Sequence, residues 1–324
     1  MKQQIFSLYK IVKRKEATSQ RNVRWWVLAV LLSVVFTSNA QIRIWEGTPE
    51  KASSVTLTPF IPEGKTRSDV AVIVCPGGSY HWLDISTEGI GVAKWLQKNG
   101  IAAFVLTYRV AGVWAYVSHY RLLFRGNRQP DMFRDVQRAI QLVRENASQW
   151  GINTNKVGVM GFSAGGHLAM SAGVFHNTNF LLSLGITPKV SLRPDFVVPV
   201  YPVVTLTDKR YVHKRSRKGL LGEWGKRNKR LQDSLSLERH IPADCPPVLL
   251  VNCVDDPVVK YQNSVLLDSA LTARGVPHHY LQYKTGGHGF GASDVKGTEE
   301  CRTWREAFLN WLKENINDGS KHIE

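Results

Sequence analysis

A serine stands at the centre of the pattern G-x-S-x-G, which residues 161–165 match as GFSAG. A serine hydroxyl becomes a nucleophile at neutral pH only when a base accepts its proton and a third group orients that base. The apolar run 157–160 precedes the pattern, and the small and apolar residues 165–175 follow it. A tight turn from strand to helix needs small neighbours and lifts the serine hydroxyl clear of the sheet. We therefore predict that Ser163 attacks a carbonyl carbon.

The predicted base is His288, one of ten histidines in the chain. It lies in the glycine-rich stretch 286–290 (GGHGF), shortly after the strand-like run 279–283. Glycine neighbours allow backbone conformations that can bring an imidazole to its partners. His167 lies on the predicted helix after the serine, and we expect it to have a packing role.

Two neighbouring carboxylates are candidates for the group that orients the base. Asp255 and Asp256 follow the apolar run 248–253, and they come after the serine and before the histidine in the chain. That chain order is the one found in hydrolases with a G-x-S-x-G turn. We predict Asp256, because it stands three residues before Val259. This D-x-x-V arrangement is common after the strand that precedes the acid in such hydrolases. Asp255 is then expected to be a neighbour of the acid or an exposed side chain.

Attack on a carbonyl also requires hydrogen-bond donors for the negative oxygen that forms. The apolar run 70–75 leads directly into residues 76–80 (PGGSY), where glycines allow backbone amides to approach a substrate closely. We predict donors at the amides of Gly78 or Ser79, together with the amide of Ala164. Such chemistry requires neither a metal nor an organic cofactor, and no cysteine or histidine spacing indicates a zinc site.

The elements that must position these residues alternate along the chain. Short apolar runs alternate with longer amphipathic stretches, which predicts a mostly parallel central sheet with helices on both faces. This alternation is interrupted near residues 110–130 and 203–244. We interpret both segments as lid-like insertions and expect them to lie over the active site. Predicted strands are 70–75, 101–107, 157–160, 196–200, 248–251 and 279–283, and predicted helices are 87–99, 131–150, 165–175, 261–274 and 301–315.

The first 40 residues have a different composition from the remainder. Seven basic residues and one acidic residue surround or precede the apolar run 25–36, and small residues follow that run up to Ala40. This layout is typical of a secretory signal peptide, and a run of twelve residues is too short for a comfortable membrane span. We expect cleavage after Ala40, a single domain over 41–324, and a periplasmic or extracellular location. An uncleaved N-terminal anchor remains the alternative.

The chain carries a formal net charge of +16, and much of the surplus outside the predicted signal lies in residues 209–230. One interpretation of this stretch is a solvated basic surface loop. Another is attraction of an acidic substrate, such as a polysaccharide that carries uronic acids. An exported protein rarely meets DNA, so no nucleic acid partner is expected.

Four cysteines are spread along the sequence. Cys75 and Cys253 end apolar runs and are predicted to be core residues. Cys245 and Cys301 could pair in an oxidising compartment, which the sequence leaves open. The sequence does not determine the oligomeric state.

Several segments together resemble the exported bacterial α/β-hydrolases of the acetylxylan and feruloyl esterase type, which are related to the hormone-sensitive-lipase group. They are CPGGSY (75–80), LTYR (106–109), D-x-x-R-A-I (135–140), VGVMGFSAGGHLA (157–169), DDPVV (255–259) and GGHGF (286–290). The resemblance implies an α/β-hydrolase fold, catalysis by Ser163, Asp256 and His288, and an oxyanion role for loop 77–79. Pro76 stands where lipases of that group usually have histidine.

The substrate implied by this resemblance is an acylated carbohydrate or another small ester. We expect removal of acetyl groups from a plant-type polysaccharide, with Tyr80 and Trp82 stacking on sugar or phenolic rings. A feruloyl esterase is the alternative, and a prolyl-oligopeptidase-type peptidase uses the same three residues, although its usual propeller domain has no room here. A scaffold protein on a hydrolase fold would be expected to lack one of those residues. No stable membrane insertion is expected after signal cleavage.

Overall fold

Eight strands form a single sheet through the middle of the protein, in the order β1-β2-β4-β3-β5-β6-β7-β8. The structure, a computed structural model, describes residues 41–64, 67–117 and 126–317. Strands β3 to β8 are parallel to one another, whereas β1 and β2 extend the sheet beyond β4 in antiparallel pairing. The strands are β1 (Ile42–Arg43), β2 (Thr56–Phe60), β3 (Ala71–Cys75), β4 (Ala102–Leu106), β5 (Val157–Phe162), β6 (Phe196–Val200), β7 (Val248–Cys253) and β8 (His278–Tyr283).

Helices cover both faces of the sheet. Every residue of β3 to β7 is buried, as expected for parallel strands covered on two sides. Alternate residues of β3 belong to two separate apolar clusters, with Ile73 in one and Val72 in the other. The α-helices are Gly91–Lys98, Val113–Val117, Asp131–Glu145, Ala164–Val174, Lys214–Gly225, Lys229–Ser234, Gln262–Ala273, Glu299–Arg302 and Trp304–Leu312. Short 3₁₀ or π segments are Ile85–Ile90, Ala147–Trp150, Leu182–Leu184, Leu237–Arg239 and Lys313–Asn317.

The register of the parallel strands determines which loops meet. Cys75 at the end of β3 lies opposite Gly161 of β5, and Phe162 of β5 lies opposite Val200 of β6. Cys253 of β7 lies opposite Tyr283 of β8. The loops that follow these strands therefore leave the same edge of the sheet. This edge is where α/β folds place their ligands.

The predicted mostly parallel sheet with helices on both faces is confirmed, and each predicted strand lies within two residues of an observed one. Strands β1 and β2 were not predicted. The predicted helix 87–99 divides into a π-helical segment (Ile85–Ile90) and an α-helix (Gly91–Lys98).

The second insertion, near 203–244, is not a plain loop. It contains the α-helix Lys214–Gly225, named here the insertion helix, and the shorter helix Lys229–Ser234. Leu220 and Leu221 of the insertion helix are buried, and the Leu220 carbonyl accepts a hydrogen bond from the Gln129 amide at 2.9 Å. Buried leucines hold this segment against the body of the protein.

Two predictions fall outside the described residues. The signal peptide was assigned to residues 1–40, and residues 118–125 belong to the first predicted insertion. From Gln41 onward the described residues form one compact unit. None of the helices in the described ranges is sufficiently long and apolar to cross a bilayer.

All four cysteines are free thiols and all are buried. The possible pairing of Cys245 with Cys301 does not occur. Instead Cys301 lies beside Cys253, since a methyl group added at Gly286 would lie 2.6 Å from both sulfurs. The core role expected for Cys75 and Cys253 agrees with their complete burial.

Candidate active site

The predicted nucleophile stands on a sharp turn between β5 and the helix Ala164–Val174. Ser163 has φ 55° and ψ −116°, a backbone conformation that residues other than glycine rarely adopt. Its glycine neighbours are required by close packing. A Cβ at Gly161 would lie 2.0 Å from the carbonyl oxygen of Gly165, and a Cβ at Gly165 would lie 2.1 Å from that of Cys75. This strained turn projects the hydroxyl beyond the sheet edge, as in a nucleophile elbow.

The structure brings Ser163, His288 and Asp256 into one hydrogen-bonded chain. The Nε2 atom of His288 lies 2.9 Å from Ser163 Oγ, and its Nδ1 atom lies 2.6 Å from Asp256 Oδ2. A carboxylate accepts only, so Nδ1 carries the proton and Nε2 can accept the serine proton. The Asp256 side chain is 1% exposed and that of His288 is 12% exposed. This hydrogen-bonding order, with a shielded carboxylate and a histidine that reaches the surface, is the one expected of a Ser-His-Asp triad.

The two neighbouring aspartates have different contacts. Asp256 Oδ1 accepts hydrogen bonds from the amides of Val258 and Val259, at 2.8 and 2.9 Å. Asp255 instead accepts from the amides of Gly286 and Gly287, at 3.1 and 2.8 Å. Asp255 therefore fixes the glycine-rich loop that carries the histidine. The hydrogen bonds from the two valine amides hold the Asp256 carboxylate toward the imidazole.

The loop after β3 lies directly against the nucleophile. A Cβ at Gly77 would lie 3.0 Å from the Cβ of Ser163. The Gly77 amide itself is occupied, since it donates to Glu88 Oε2 at 2.7 Å. Within the described part of the chain, the amides of Gly78, Ser79 and Ala164 have no acceptor. Free amides beside a nucleophile suit an oxyanion hole, and these three remain its predicted donors.

Glu88 is a site residue that the sequence analysis did not identify. It lies in the π-helical segment and is 3% exposed. Its Oε2 atom accepts from the Gly77 amide, and its Oε1 atom accepts from the Tyr201 hydroxyl at 2.8 Å. Burial raises the pKa of the Glu88 carboxyl, although these hydrogen bonds and the nearby His288 act in the opposite direction. A glutamate in an otherwise helical run gives no local signal of such a role.

The Glu88 carboxyl connects the two loops that flank the nucleophile. The ring of Tyr201 packs on the imidazole of His288, with centroids 4.5 Å apart. The Tyr201 hydroxyl also accepts from the amide of Gly291, at 3.1 Å, in the segment that follows the histidine. Glu88 thus fixes the predicted oxyanion loop through Gly77 and the histidine loop through Tyr201. We interpret it as a positioning residue.

Replacement of Glu88 should therefore lower kcat with little change in KM. We expect Glu88→Gln to lower kcat for p-nitrophenyl acetate by about tenfold and Glu88→Ala by about 100-fold, since small displacements of reacting groups are costly. Glutamine keeps one acceptor, whereas alanine leaves the buried Gly77 amide without one. Steady-state kinetics and a thermal melt of each variant measure the effect. A folded Glu88→Gln protein with wild-type kcat would contradict the positioning role.

The prediction that Tyr80 stacks on a substrate ring is wrong. Its side chain is fully buried, and its hydroxyl lies 2.8 Å from Nδ1 of His167. Ser79 and Tyr80 both have positive φ, at 57° and 60°. This turn directs the phenol ring into the core. Trp82 is only partly buried and remains a predicted substrate contact.

Trp82 belongs to a small surface cluster of aromatic and cationic groups. Its ring lies 5.7 Å from that of Tyr116, and the Arg215 guanidinium lies 5.7 and 5.4 Å from the Trp82 and Tyr116 ring centroids. We name Trp82, Tyr116 and Arg215 the aromatic cluster. Such flat apolar faces can pack on the C–H faces of sugar rings.

His167 has the packing role that was predicted. Its Nε2 atom lies 3.0 Å from the Leu235 carbonyl oxygen, so Nε2 carries the proton and Nδ1 accepts from the Tyr80 hydroxyl. Burial lowers the pKa of His167 to about 4 from its ordinary value of 6.5. The folded protein therefore keeps this histidine neutral at pH values where the unfolded chain binds a proton.

The depressed pKa of His167 predicts a loss of stability in acid. The contribution of neutral His167 to the free energy of unfolding is present above pH 6.5 and is lost as the pH falls toward about 4. We expect the free energy of unfolding to fall by about 2 kcal/mol from this group between pH 7 and pH 4.5. Urea denaturation at both pH values measures it, with His167→Gln as the control, because glutamine does not titrate. Equal losses in the two proteins would contradict the assignment.

A mostly parallel sheet with a strand-to-helix serine turn, followed along the chain by carboxylate and histidine, defines the α/β-hydrolase class. Among the described residues, no group of three or more histidine, cysteine or acidic side chains is arranged to hold a metal ion. The BD-FAE family matches residues 59–271, which is more than half of the chain. The chain therefore belongs to the BD-FAE family.

Two curated proteins are similar in sequence to most of this chain. An acetylxylan esterase of Xylanibacter ruminicola is 32% identical over 74% of this chain and 44% of its own length. The endo-1,4-beta-xylanase B of Butyrivibrio fibrisolvens is 33% identical over 67% of this chain and 32% of its own length. The chain thus spans less than half the length of these two curated relatives.

A solved structure covers nearly the same length of chain. The acetyl ester-xyloside bifunctional hydrolase of Caldicellulosiruptor lactoaceticus is 31% identical and superposes with a TM-score of 0.72. The match covers 85% of this chain and 96% of that one. The α/β-hydrolase fold predicted from the sequence is confirmed.

Proposed function

We propose that this protein is a serine carboxylesterase that removes acetyl groups from a xylan-type polysaccharide or oligosaccharide. The observation that supports ester hydrolysis is the unbroken hydrogen-bonded chain from Asp256 through His288 to Ser163. It stands beside the backbone amides of Gly78, Ser79 and Ala164, which have no acceptor among the described residues. The proposed nucleophile, base and oxyanion donors for acyl transfer are thus residues of one sheet edge.

The proposed reaction has two steps. His288 accepts the Ser163 proton as the serine oxygen attacks the ester carbonyl, and the free amides hold the resulting oxyanion. The imidazolium, paired with the Asp256 carboxylate, then gives the proton to the sugar oxygen as its bond to the carbonyl carbon breaks, which releases the sugar hydroxyl and leaves an acyl-serine. Water enters, loses a proton to His288 and attacks the acyl carbon. Collapse of the second intermediate returns the proton to Ser163 and releases acetic acid.

The proposed substrate class is supported by the relatives and by the surface near the site. Two of the similar proteins are named an acetylxylan esterase and an acetyl ester-xyloside hydrolase. The aromatic cluster, whose Trp82 lies on the loop that follows the predicted oxyanion donors, offers rings that can pack on a sugar. The signal peptide predicted over residues 1–40 would place the protein outside the cytoplasm, where it could meet a polymer. Export is part of this proposal.

A panel of three substrates tests the proposed function. It compares acetate release from acetylated xylan, ferulate release from feruloyl-arabinose, and turnover of p-nitrophenyl acetate. The proposal expects the highest kcat/KM among the carbohydrate esters on acetylated xylan. Preferential ferulate release would identify the feruloyl esterase alternative, and turnover of the p-nitrophenyl ester alone would contradict a carbohydrate substrate.

A further inference from the structure

The second insertion forms a cavity of about 800 Å³ with a strongly basic lining. We name it the insertion pocket. Its volume falls within the usual range for sites that hold small organic ligands. It is lined by Thr207, Lys209, Val212, Lys214, Arg217, Arg227, Lys229, Arg230, Gln232 and Asp233.

The positive charge of the insertion pocket is not balanced by the protein. Six of its lining residues are lysine or arginine and only Asp233 is acidic. The Asp233 carboxylate is already paired with Arg239, at 2.6 Å. Across the described ranges, none of the six cations makes an ion pair. A pocket with this excess charge attracts an anion.

Acidic residues near the pocket do not relieve this excess. Asp208 is paired with Arg210, and Glu223 is held by Lys218 and Lys226, so that these carboxylates contact cations outside the lining. Arg217 donates one hydrogen bond to the Leu206 carbonyl, while its buried Nε atom has no hydrogen-bond partner among the described residues. A guanidinium presents two parallel donors, which is the geometry that matches a carboxylate.

The insertion helix connects the insertion pocket with the candidate active site. Val212 and Lys214, which line it, flank His213 in the chain. His213 lies close enough to His288 and Asp256 for their charges to influence its pKa, which burial lowers to about 4. The insertion helix also packs on the oxyanion loop, because a Cβ at Gly219 would lie 2.5 Å from the Ser79 carbonyl oxygen. The helix that supplies Lys214 and Arg217 to the pocket thus also contacts the loop beside the nucleophile, and a ligand that extends from the nucleophile past His213 would run toward the pocket.

We propose that the insertion pocket binds the carboxylate of an acidic sugar carried by the polysaccharide whose ester is cleaved at Ser163. This inference rests on the proposed function and specifies its substrate as an acidic, acetylated polysaccharide. The six cations are gathered in one concave pocket the size of a small ligand. A nucleic acid would instead require cations along the path of a phosphate backbone. The Arg215 member of the aromatic cluster, one residue beyond Lys214, continues the positive surface from the pocket toward Trp82.

The test compares two acetylated xylo-oligosaccharides that differ only in charge. One carries a uronic acid side group, and in the other the same carboxyl group is converted to the carboxamide. The double variant Arg227→Gln/Arg230→Gln removes two exposed lining cations, and Arg43→Gln/Arg274→Gln removes two exposed cations outside the pocket as a matched control. We expect the pocket variant to lower kcat/KM for the acidic substrate by about tenfold, from lost charge-assisted hydrogen bonds. The carboxamide substrate should change by less than about twofold, and the control variant should leave both nearly unchanged.

Equal effects on the acidic and carboxamide substrates, or no effect on either, would overturn the proposal. A binding measurement separates this result from failure of the proposed function. Calorimetry on the Ser163→Ala protein compares both oligosaccharides and a short DNA strand without any need for turnover. Preference for the acidic oligosaccharide that disappears in the pocket variant supports the pocket. Tighter binding of DNA, or no preference between the two oligosaccharides, would overturn it, whereas turnover of p-nitrophenyl acetate alone would count against the proposed function.

Discussion

Replacement of Ser163 by alanine is expected to lower kcat for p-nitrophenyl acetate by at least about 10⁴-fold. The serine oxygen is the only group at the turn that the His288 imidazole can deprotonate, at a separation of 2.9 Å. Without it no acyl-serine can form, and the remaining turnover reflects only binding and the free amides. Stopped-flow and steady-state assays of purified protein measure the loss.

The loss must come from chemistry rather than from unfolding. Alanine retains the Cβ that the strained turn accommodates, so we expect the thermal melting temperature of Ser163→Ala to remain close to that of the wild type. Ser171→Ala is the matched control, because Ser171 lies on the helix that follows the turn and its hydroxyl bonds, among the described residues, only to His167. It should keep kcat within about threefold. A Ser163→Ala protein that retains near-normal turnover would remove Ser163 from the proposed mechanism.

The second large effect is expected at Asp256. Replacing it with asparagine should lower kcat by about 10⁴-fold, because an amide can donate to Nδ1 and so favour the tautomer that cannot accept the serine proton. The Asp256 side chain is 1% exposed, so solvent cannot readily replace the carboxylate. Steady-state kinetics at a fixed pH near neutrality measure the change.

Asp255 provides the matched control for this substitution. It is the adjacent aspartate, but it binds the amides of Gly286 and Gly287 rather than the imidazole. Asparagine keeps a carbonyl acceptor for one of these amides, so Asp255→Asn should lower kcat by less than about tenfold. If the two variants lose activity equally, or if Asp255→Asn loses more, the assignment of the orienting carboxylate to Asp256 is contradicted.

The central part of the site could be read from the sequence because its constraints are local. The serine turn requires glycines at 161 and 165. Both glycines are part of the sequence pattern, and the close packing around each leaves no room for a Cβ. The carboxyl ends of parallel strands meet at one sheet edge, so the loops after β5, β7 and β8 had to converge. Chain order and glycine content then indicated Asp256 and His288.

Features that depend on long-range packing were not predicted. The direction of the Tyr80 ring follows from positive φ at Ser79 and Tyr80, which the letters PGGSY do not specify. Glu88 gains its contacts only because β3 and β6 place Gly77 and Tyr201 on either side of it. The sequence identified the second insertion because the alternation of predicted strands and helices is interrupted there. Its helices were missed because most of their residues are basic or polar, and Leu220 and Leu221 are their only buried apolar side chains.

Covalent labelling with a fluorophosphonate tests the central proposal most directly, since the reagent reacts with a serine activated by a neighbouring histidine. Intact-mass and peptide mass spectrometry should find one label per chain, on Ser163, with loss of esterase activity in proportion to labelling. The label should be absent from Ser163→Ala and strongly reduced in His288→Gln. A label on another residue, or full esterase activity in protein labelled completely at Ser163, would contradict the proposal.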